Sequence, residues 1–133
     1  MVNVKEVLQT KVMVFIMAKG LEELSKIDEE FQEEIEDFEA ILQWNIASDI
    51  RMYLAISDGR ITAHMDAEHD DPTVTFIVED YAKARAILGG EIDGTSAYMS
   101  GDLKMDGEMQ AGMRMGQLGE FLTEALGDIL RRE

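Results

Sequence analysis

Apolar residues in the first third of the chain recur every three or four positions, the spacing typical of amphipathic helices. Residues 4–18 predict a first helix, with Gly20 as its terminator. Because residues 12–18 are apolar on every side, this helix is expected to be buried in the domain or against another subunit. Residues 21–39 predict one long second helix whose acidic residues form a solvated face.

The middle of the chain alternates apolar and polar residues with period two, which indicates half-buried strands. Four such strands are predicted. Their apolar sides are formed by Leu42, Trp44 and Ile46, by Met52, Leu54 and Ile56, by Ile61, Ala63, Met65 and Ala67, and by Val74, Phe76 and Val78. Asp58 and Gly59 form a tight-turn dipeptide between the second and third strands. The sequence therefore predicts an antiparallel meander.

The last third predicts helices around one more strand. Residues 81–88 have helical spacing and end at two glycines, and residues 102–106 form a fifth alternating stretch with Leu103 and Met105 on one side. Helical spacing resumes at Glu108 and continues to the end of the chain. The predicted fold class is α+β, with a five-stranded, mainly antiparallel sheet covered on one face by helices.

Length and charge limit the function further. A chain of 133 residues fits a single domain spanning 1–133. The net charge of −16 disfavours nucleic acid and anionic bilayers as partners, because both attract basic groups. The longest apolar run, residues 12–18, is too short for the ~20 residues that a membrane-spanning helix needs, so we expect no stable membrane insertion and no signal peptide. A cytoplasmic location is expected, and the absence of cysteine suits it.

The residues offer little catalytic chemistry. His64 and His69 lie in an acidic segment that superficially suggests a metal site, but residues five apart on an extended strand point to opposite faces. They could meet at one ion only if the chain bends, so a polar strand face leading into an acidic turn is favoured over a metal-assisted enzyme. Nucleophile-elbow, phosphate-loop and dinucleotide motifs are absent from the sequence. We therefore predict no catalytic residues, no metal and no cofactor.

A segment rich in methionine and glycine precedes the final helix and continues into it. Methionine adapts to irregular apolar surfaces and is overused at promiscuous hydrophobic sites, although ordinary core filling would use it as well. The residues concerned are Met99, Met105, Met109, Met113 and Met115, beside Gly101, Gly107, Gly112 and Gly116.

This segment carries a resemblance to a known family. Residues 96–109, SAYMSGDLKMDGEM, followed by AGMRM at residues 111–115, resemble the hallmark C-terminal stretch of the sterol carrier protein type-two family, also called the nonspecific lipid-transfer fold. Residues 73–78 with Asp80 and Tyr81 are similar to a strand of that family and the helix after it. The order of elements agrees from about Leu21 to Leu122, which leaves the N-terminal helix of residues 1–20 outside the clear pattern.

The resemblance implies a sheet covered on one face by helices, with an apolar tunnel between them that accepts fatty acyl chains, acyl-coenzyme A, phospholipids or sterols. It also implies that Leu103 and Met105 line the tunnel on the sheet side, with Met109 and Met113 on the helix above. Strand alternation alone adds three candidate lining residues, namely Trp44, Leu54 and Phe76.

The leading functional hypothesis is therefore the binding or carrying, without catalysis, of a lipid-like hydrophobic ligand such as a fatty acid or acyl-coenzyme A in an apolar tunnel. The alternative is a homo-oligomeric interaction module, such as a homodimer, with a collapsed or vestigial tunnel. In that module the helices of residues 4–18 and 108–130 would bury their apolar faces against a second subunit.

Overall fold

The structure, a computed structural model, describes residues 3–127, which form five helices and five strands. In chain order the elements are α1 (Val4–Ile27), α2 (Glu29–Ile35), β1 (Ala40–Ile46), β2 (Ile50–Ser57), β3 (Arg60–Met65), β4 (Val74–Val78), α3 (Tyr81–Leu88), α4 (Gly94–Ser100), β5 (Lys104–Gly107) and α5 (Met109–Leu126). The predicted α+β class with a five-stranded, mainly antiparallel sheet is confirmed. The predicted closing helix also covered residues 128–133, which lie outside the described residues.

The first helix does not end at Gly20, as the sequence suggested, but runs on to Ile27. A β-carbon at Gly20 would lie only 2.8 Å from Cδ1 of Leu122 on α5, so this glycine permits a close approach of two helices. A glycine at a helix contact and a glycine after a helix end look alike in sequence. The prediction of a terminator at this position was wrong for that reason.

The single long helix predicted over residues 21–39 is also wrong. Asp28 separates α1 from α2: its backbone N–H donates to the carbonyl of Leu24 and ends α1, while its carboxylate accepts from the N–H groups of Glu30 and Phe31 and starts α2. An aspartate at an N-cap satisfies amides that have no partner within the helix. The chain leaves the helical conformation after Ile35 and enters β1 at Ala40.

Only one face of α1 is buried, although its sequence is apolar all round over residues 12–18. Side chains such as Val14, Met17, Ala18 and Leu21 pack into the core. The opposite face carries an apolar row, which we call the α1 stripe, whose side chains are 48% to 75% exposed: Val4, Leu8, Val12 and Phe15. Burial of the whole helix within the domain, one of the two expectations for it, is therefore wrong for the described chain, and burial against another subunit stays a prediction.

The sheet has the order β3-β2-β1-β4-β5, so β1 is its central strand. Strands β1, β2 and β3 pair antiparallel in succession, and β5 pairs antiparallel with β4, but β4 lies parallel to β1. The predicted meander was wrong at this step, because the chain crosses from β3 at one edge to the far side of β1. Thr73 holds the start of β4 there: its hydroxyl accepts from the N–H of Ile41, and its own N–H donates to the carbonyl of Ile41.

Side chains of α1 cover the exposed edge of the sheet. Strand β3 is an edge strand, and two of its amide groups donate to α1: Ile61 N to the Ser25 hydroxyl at 3.0 Å and Ala63 N to the Glu22 carboxylate at 2.8 Å. Without these two hydrogen bonds, the edge amides would be free to pair with a strand of another chain. The bond from Ala63 lowers the pKa of Glu22 below its ordinary value, and Lys19 at 3.2 Å acts in the same direction against the effect of burial.

We expect Glu22→Gln to lower the free energy of unfolding by about 0.5–1 kcal/mol at neutral pH, because the amide oxygen still accepts but without charge. The folded-state pKa of Glu22 is lowered, so its contribution is fully present above about pH 4.5 and is lost as the pH falls through the folded-state value. Denaturant unfolding from pH 3 to pH 7 should therefore show a smaller rise of stability with pH in Glu22→Gln than in the wild type. The neighbouring change Glu23→Gln is the control, since the carboxylate of Glu23 pairs with the exposed Lys26 on the helix surface. An identical effect of both changes would contradict the assignment.

Candidate functional site

A cavity of about 650 Å³ lies between the sheet and helices α3, α4 and α5. Its floor is formed by residues of three adjacent strands. Trp44 on β1 and Phe76 on β4 are register partners, and their rings stack with centroids 4.6 Å apart. Met105 is the partner of Phe76 on β5, and Leu103 precedes that strand. Alternation along each strand places these side chains on the helix-covered face.

One wall of the cavity is a face of α5 that carries methionines and glycines. Met109 and Met113 line this wall, as do Gly112, Gly116 and Gly119. A β-carbon added at Gly116 or Gly119 would meet no atom within 4 Å, so these two glycines leave open space beside the helix. Gly112 acts differently, because a β-carbon there would lie 2.6 Å from Sδ of Met105. Because Gly112 has no side chain, α5 can approach β5 closely.

The opposite wall comes from α3, α4 and the loop between them, and sequence reasoning missed these residues. Ile87, Leu88, Ile92 and Tyr98 all line the cavity. The sequence analysis predicts no element between the two glycines after residue 88 and the fifth strand. The structure forms α4 there, and the carboxylate of Asp93 accepts from the N–H and the hydroxyl of Ser96 at its start. Asp93 was the available signal for this helix start, because aspartate is a preferred N-cap residue.

Of the seven candidate lining residues, the structure brings six together around the cavity: Trp44, Phe76, Leu103, Met105, Met109 and Met113. Leu54 is not among the lining residues. It is fully buried on β2, between its partners Leu42 and Ala63, in the half of the sheet next to α1. Alternation identifies the covered face of a strand but cannot tell which half of the sheet lies under the cavity.

The cavity opens to solvent between α4 and α5, where Tyr98, Met109 and Met113 are 39%, 39% and 64% exposed. At ~24 cal/mol per Å³, a sealed and empty apolar cavity of about 650 Å³ would cost about 16 kcal/mol. That exceeds the ~5–15 kcal/mol of total stability usual for a domain. The open side therefore matters, because it admits solvent or a ligand to the apolar surface.

Three carboxylates lie at the cavity. Asp93, Glu120 and Glu124 are the only charged residues among those of the described chain that line it. Asp93 is engaged as the cap of α4, whereas Glu120 and Glu124 lie one turn apart on α5. The potential at this side of the cavity is accordingly negative.

The two histidines are brought together on another part of the sheet. The chain bends between them, with Asp66 at a positive φ of 55°, and both imidazoles contact Tyr53: His64 is stacked at 4.4 Å and His69 is edge-on at 5.3 Å. The expectation of opposite faces was therefore wrong. Nδ1 of His69 accepts from the N–H of Asp71, and within residues 3–127 no group of three or more histidines and carboxylates is arranged to hold a metal ion.

Comparison with known proteins identifies the family. The model of the SCP-2 sterol transfer family matches residues 21–120. This chain belongs to the SCP-2 sterol transfer family. The match begins within α1 and ends within α5, so it includes most of the residues that line the cavity. No curated protein matches the chain in sequence.

Solved structures share the SCP-2 fold with this chain at low identity. Sterol carrier protein 2 from Yarrowia lipolytica in its apo form is 16% identical, with a TM-score of 0.61 over 81% of this chain and 87% of that one. A UbiJ-SCP2 ubiquinone synthesis protein is 15% identical, with a TM-score of 0.56 over 92% and 96%. The sec-alkylsulfatase Pisa1 from Pseudomonas sp. is 17% identical, with a TM-score of 0.57 over 65% of this chain but only 14% of that enzyme. The matched part of this SCP-2 chain thus spans about one seventh of the length of the alkylsulfatase.

None of the helices in residues 3–127 has the length and apolar character that crossing a membrane would require.

The open space beside α5 leads to a stability prediction. We expect Gly116→Ala to raise the free energy of unfolding by about 0.5–1 kcal/mol, because alanine favours the helix and its β-carbon meets nothing within 4 Å. Gly112→Ala gains the same helix propensity but must displace Met105, so it should be neutral or destabilising. Thermal or denaturant unfolding of both variants measures the difference. Equal stabilisation by both changes would show that Gly112 is not needed for the approach of α5 to β5.

Proposed function

We propose that this protein binds and carries a lipid-like hydrophobic ligand without catalysing a reaction on it. The observation that carries the proposal is a solvent-open, largely apolar cavity in a chain of the SCP-2 sterol transfer family. Its volume of about 650 Å³ lies within the ~300–1,000 Å³ usual for small-molecule sites. The proposed ligand-contacting residues are Trp44, Phe76, Leu103, Met105, Met109 and Met113.

The side chains that line the cavity support the binding of apolar ligands of more than one shape. The methionine side chains of the α5 wall are unbranched and polarizable, so they can repack around different apolar bodies. The lining side chains that can transfer protons are carboxylates and hydroxyls, and Asp93 is already engaged in capping α4. The match to the alkylsulfatase covers 14% of that enzyme and 65% of this chain, so its activity gives no basis for proposing catalysis here.

We further propose that residues 1–133 act as one lipid-binding domain that includes the N-terminal helix. Helix α1 begins before the family match, yet its residue Met17 lines the cavity, and its Gly20 contacts Leu122 of α5. Removing the first part of α1 would therefore alter the cavity itself.

Extraction of the purified protein under denaturing conditions, followed by mass spectrometry, should release a lipid. After delipidation, titration with long-chain alkyl ligands, including dodecanol and dodecanoic acid, should change the fluorescence of Trp44 saturably for at least one of them. Gly116→Leu should lower that affinity tenfold or more, because the new side chain enters the cavity. Ala125→Leu adds a leucine at an exposed position of the same helix that does not line the cavity, so it should leave the affinity unchanged.

The absence of both a released lipid and saturable binding would contradict the carrier function. Equal affinities of the Gly116→Leu and Ala125→Leu variants would place the ligand outside the cavity.

The second candidate function is the homo-oligomeric interaction module. What favours it is the α1 stripe, since Val4, Leu8, Val12 and Phe15 form a continuous exposed apolar row. Adjacent exposed apolar side chains of this kind often mark interaction sites. A dimer would bring together two chains that each carry a net charge of −16. Association through the uncharged α1 stripe would therefore have to overcome electrostatic repulsion between the chains.

This candidate predicts that the molar mass from light scattering is twice that of one chain, and that the melting temperature rises with protein concentration. Leu8→Ser with Phe15→Ser should give the mass of one chain and remove the concentration dependence. Ile27→Ser removes an apolar side chain that is 77% exposed but lies outside the stripe, so it should leave the dimer intact. A single-chain mass for the wild type at every concentration would eliminate this candidate.

A further inference from the structure

Two methionine side chains form the rim of the cavity on its open side. Met109 and Met113 lie one turn apart on α5, line the cavity and are 39% and 64% exposed. The position three residues after each of them, on the same side of the helix, is a glycine: Gly112 after Met109 and Gly116 after Met113. No side chain at those positions covers them, so both thioethers are accessible where a ligand would enter.

The other methionines separate exposure from contact with the cavity. Met99 on α4 is 80% exposed but does not line the cavity. Met17 lines the cavity but is only 3% exposed, and Met52 is fully buried in the core away from it. Among the methionines of residues 3–127, Met109 and Met113 alone are both exposed and part of the lining.

An accessible thioether reacts with hydroperoxides. A lone pair of the sulfur attacks one oxygen of hydrogen peroxide, the S–O bond forms as the O–O bond breaks, and the other oxygen leaves as water after proton transfer. The sulfur is oxidised by two electrons and the peroxide is reduced. The product, methionine sulfoxide, is polar where methionine is apolar, and it disrupts methionine-rich contacts.

A sulfoxide at the rim acts against an apolar ligand. In the free protein its oxygen is hydrated, because both positions are exposed. A ligand that covers the rim removes this water, and burying a polar group without a new hydrogen bond is unfavourable. The unfavourable free energy falls on the complex and not on the fold, because core methionines such as Met52 are shielded from the oxidant.

We propose that Met109 and Met113 are modification sites, at which oxidation by a hydroperoxide lowers the affinity of the cavity for its lipid. The inference rests on the lipid-binding function proposed above and adds regulation to it, because a carrier that meets peroxide releases its ligand. Reduction of the two sulfoxides restores binding, since methionine sulfoxide is a reversible modification.

Peroxide treatment of the delipidated protein tests the modification and its effect together. Mass spectrometry of peptides should show an added oxygen atom at Met99, Met109 and Met113 well before Met17 and Met52. The ligand is dodecanol or dodecanoic acid, whichever binds the untreated protein more tightly by calorimetry. Its dissociation constant should rise about tenfold or more after oxidation.

Variants identify the sulfur atoms responsible, each compared with itself before and after peroxide. In Met109→Leu with Met113→Leu, the treatment should change the dissociation constant less than about twofold, because no thioether remains at the rim. The control Met99→Leu removes the most exposed methionine of the described residues without touching the cavity, so it should keep the tenfold effect. Methionine sulfoxide reductases for both epimers should restore the affinity of the oxidised wild type.

Protection by the ligand gives an independent readout. A saturating ligand should slow the oxidation of Met109 and Met113 and leave the rate at Met99 unchanged, because Met99 lies outside the lining. Circular dichroism should show that the oxidised protein stays folded. Unfolding on oxidation would contradict the proposal, since the loss of binding would then not arise at the rim.

The outcomes separate this inference from the function on which it rests. If Met109 and Met113 stay reduced while Met99 is oxidised, or if their oxidation leaves the affinity unchanged, the regulation is refuted while lipid binding stands. The same holds if peroxide weakens binding as much in Met109→Leu with Met113→Leu as in the wild type. If neither ligand binds the untreated protein, the lipid-binding function fails and the regulation fails with it.

Discussion

Helix α5 has to close the core with one face and leave space with another. Its buried face includes Leu118 and Leu122, and Leu122 packs where Gly20 lets α1 come close. Phe121 adds an edge-to-face contact with Phe31 of α2, with centroids 5.5 Å apart. These contacts hold the helix in place, so the glycines on its other face can leave the cavity open without loss of the helix position. The site depends on this division of a single helix into two faces.

Helix α1 determines where the cavity can form. Its side chains bond to the edge strand β3 through Ser25 and Glu22, so it covers the half of the sheet that contains β2 and β3. The remaining half, formed by β1, β4 and β5, lies under the shorter helices and carries the cavity. The acidic run is not entirely a solvated face, because the carboxylate of Glu22 accepts a hydrogen bond from the edge strand.

Periodicity in the sequence predicted most elements. The structure places six of the seven candidate lining residues along the cavity: Trp44 and Phe76, which strand alternation suggested, and Leu103, Met105, Met109 and Met113, which the family resemblance implied. Errors arose where one local pattern has two tertiary explanations. A glycine in a helical stretch can end the helix or admit a neighbour, and Gly20 does the latter. A strand after a hairpin can pair with the last strand or cross over, and β4 crosses to β1. Leu54 shares the alternation of Trp44, but it packs under the other half of the helical layer.

The sequence by itself determined most of the secondary structure, the covered face of each strand, the acidic character and, through the methionine and glycine segment, the resemblance to the family. These properties depend on neighbours a few positions apart, whose spacing is set by backbone geometry. Only the tertiary structure decided that α1 keeps an exposed apolar stripe, that the two histidines meet at Tyr53, and that a cavity forms between α5 and one half of the sheet. Those properties depend on which distant segments come together, and local spacing does not contain that information.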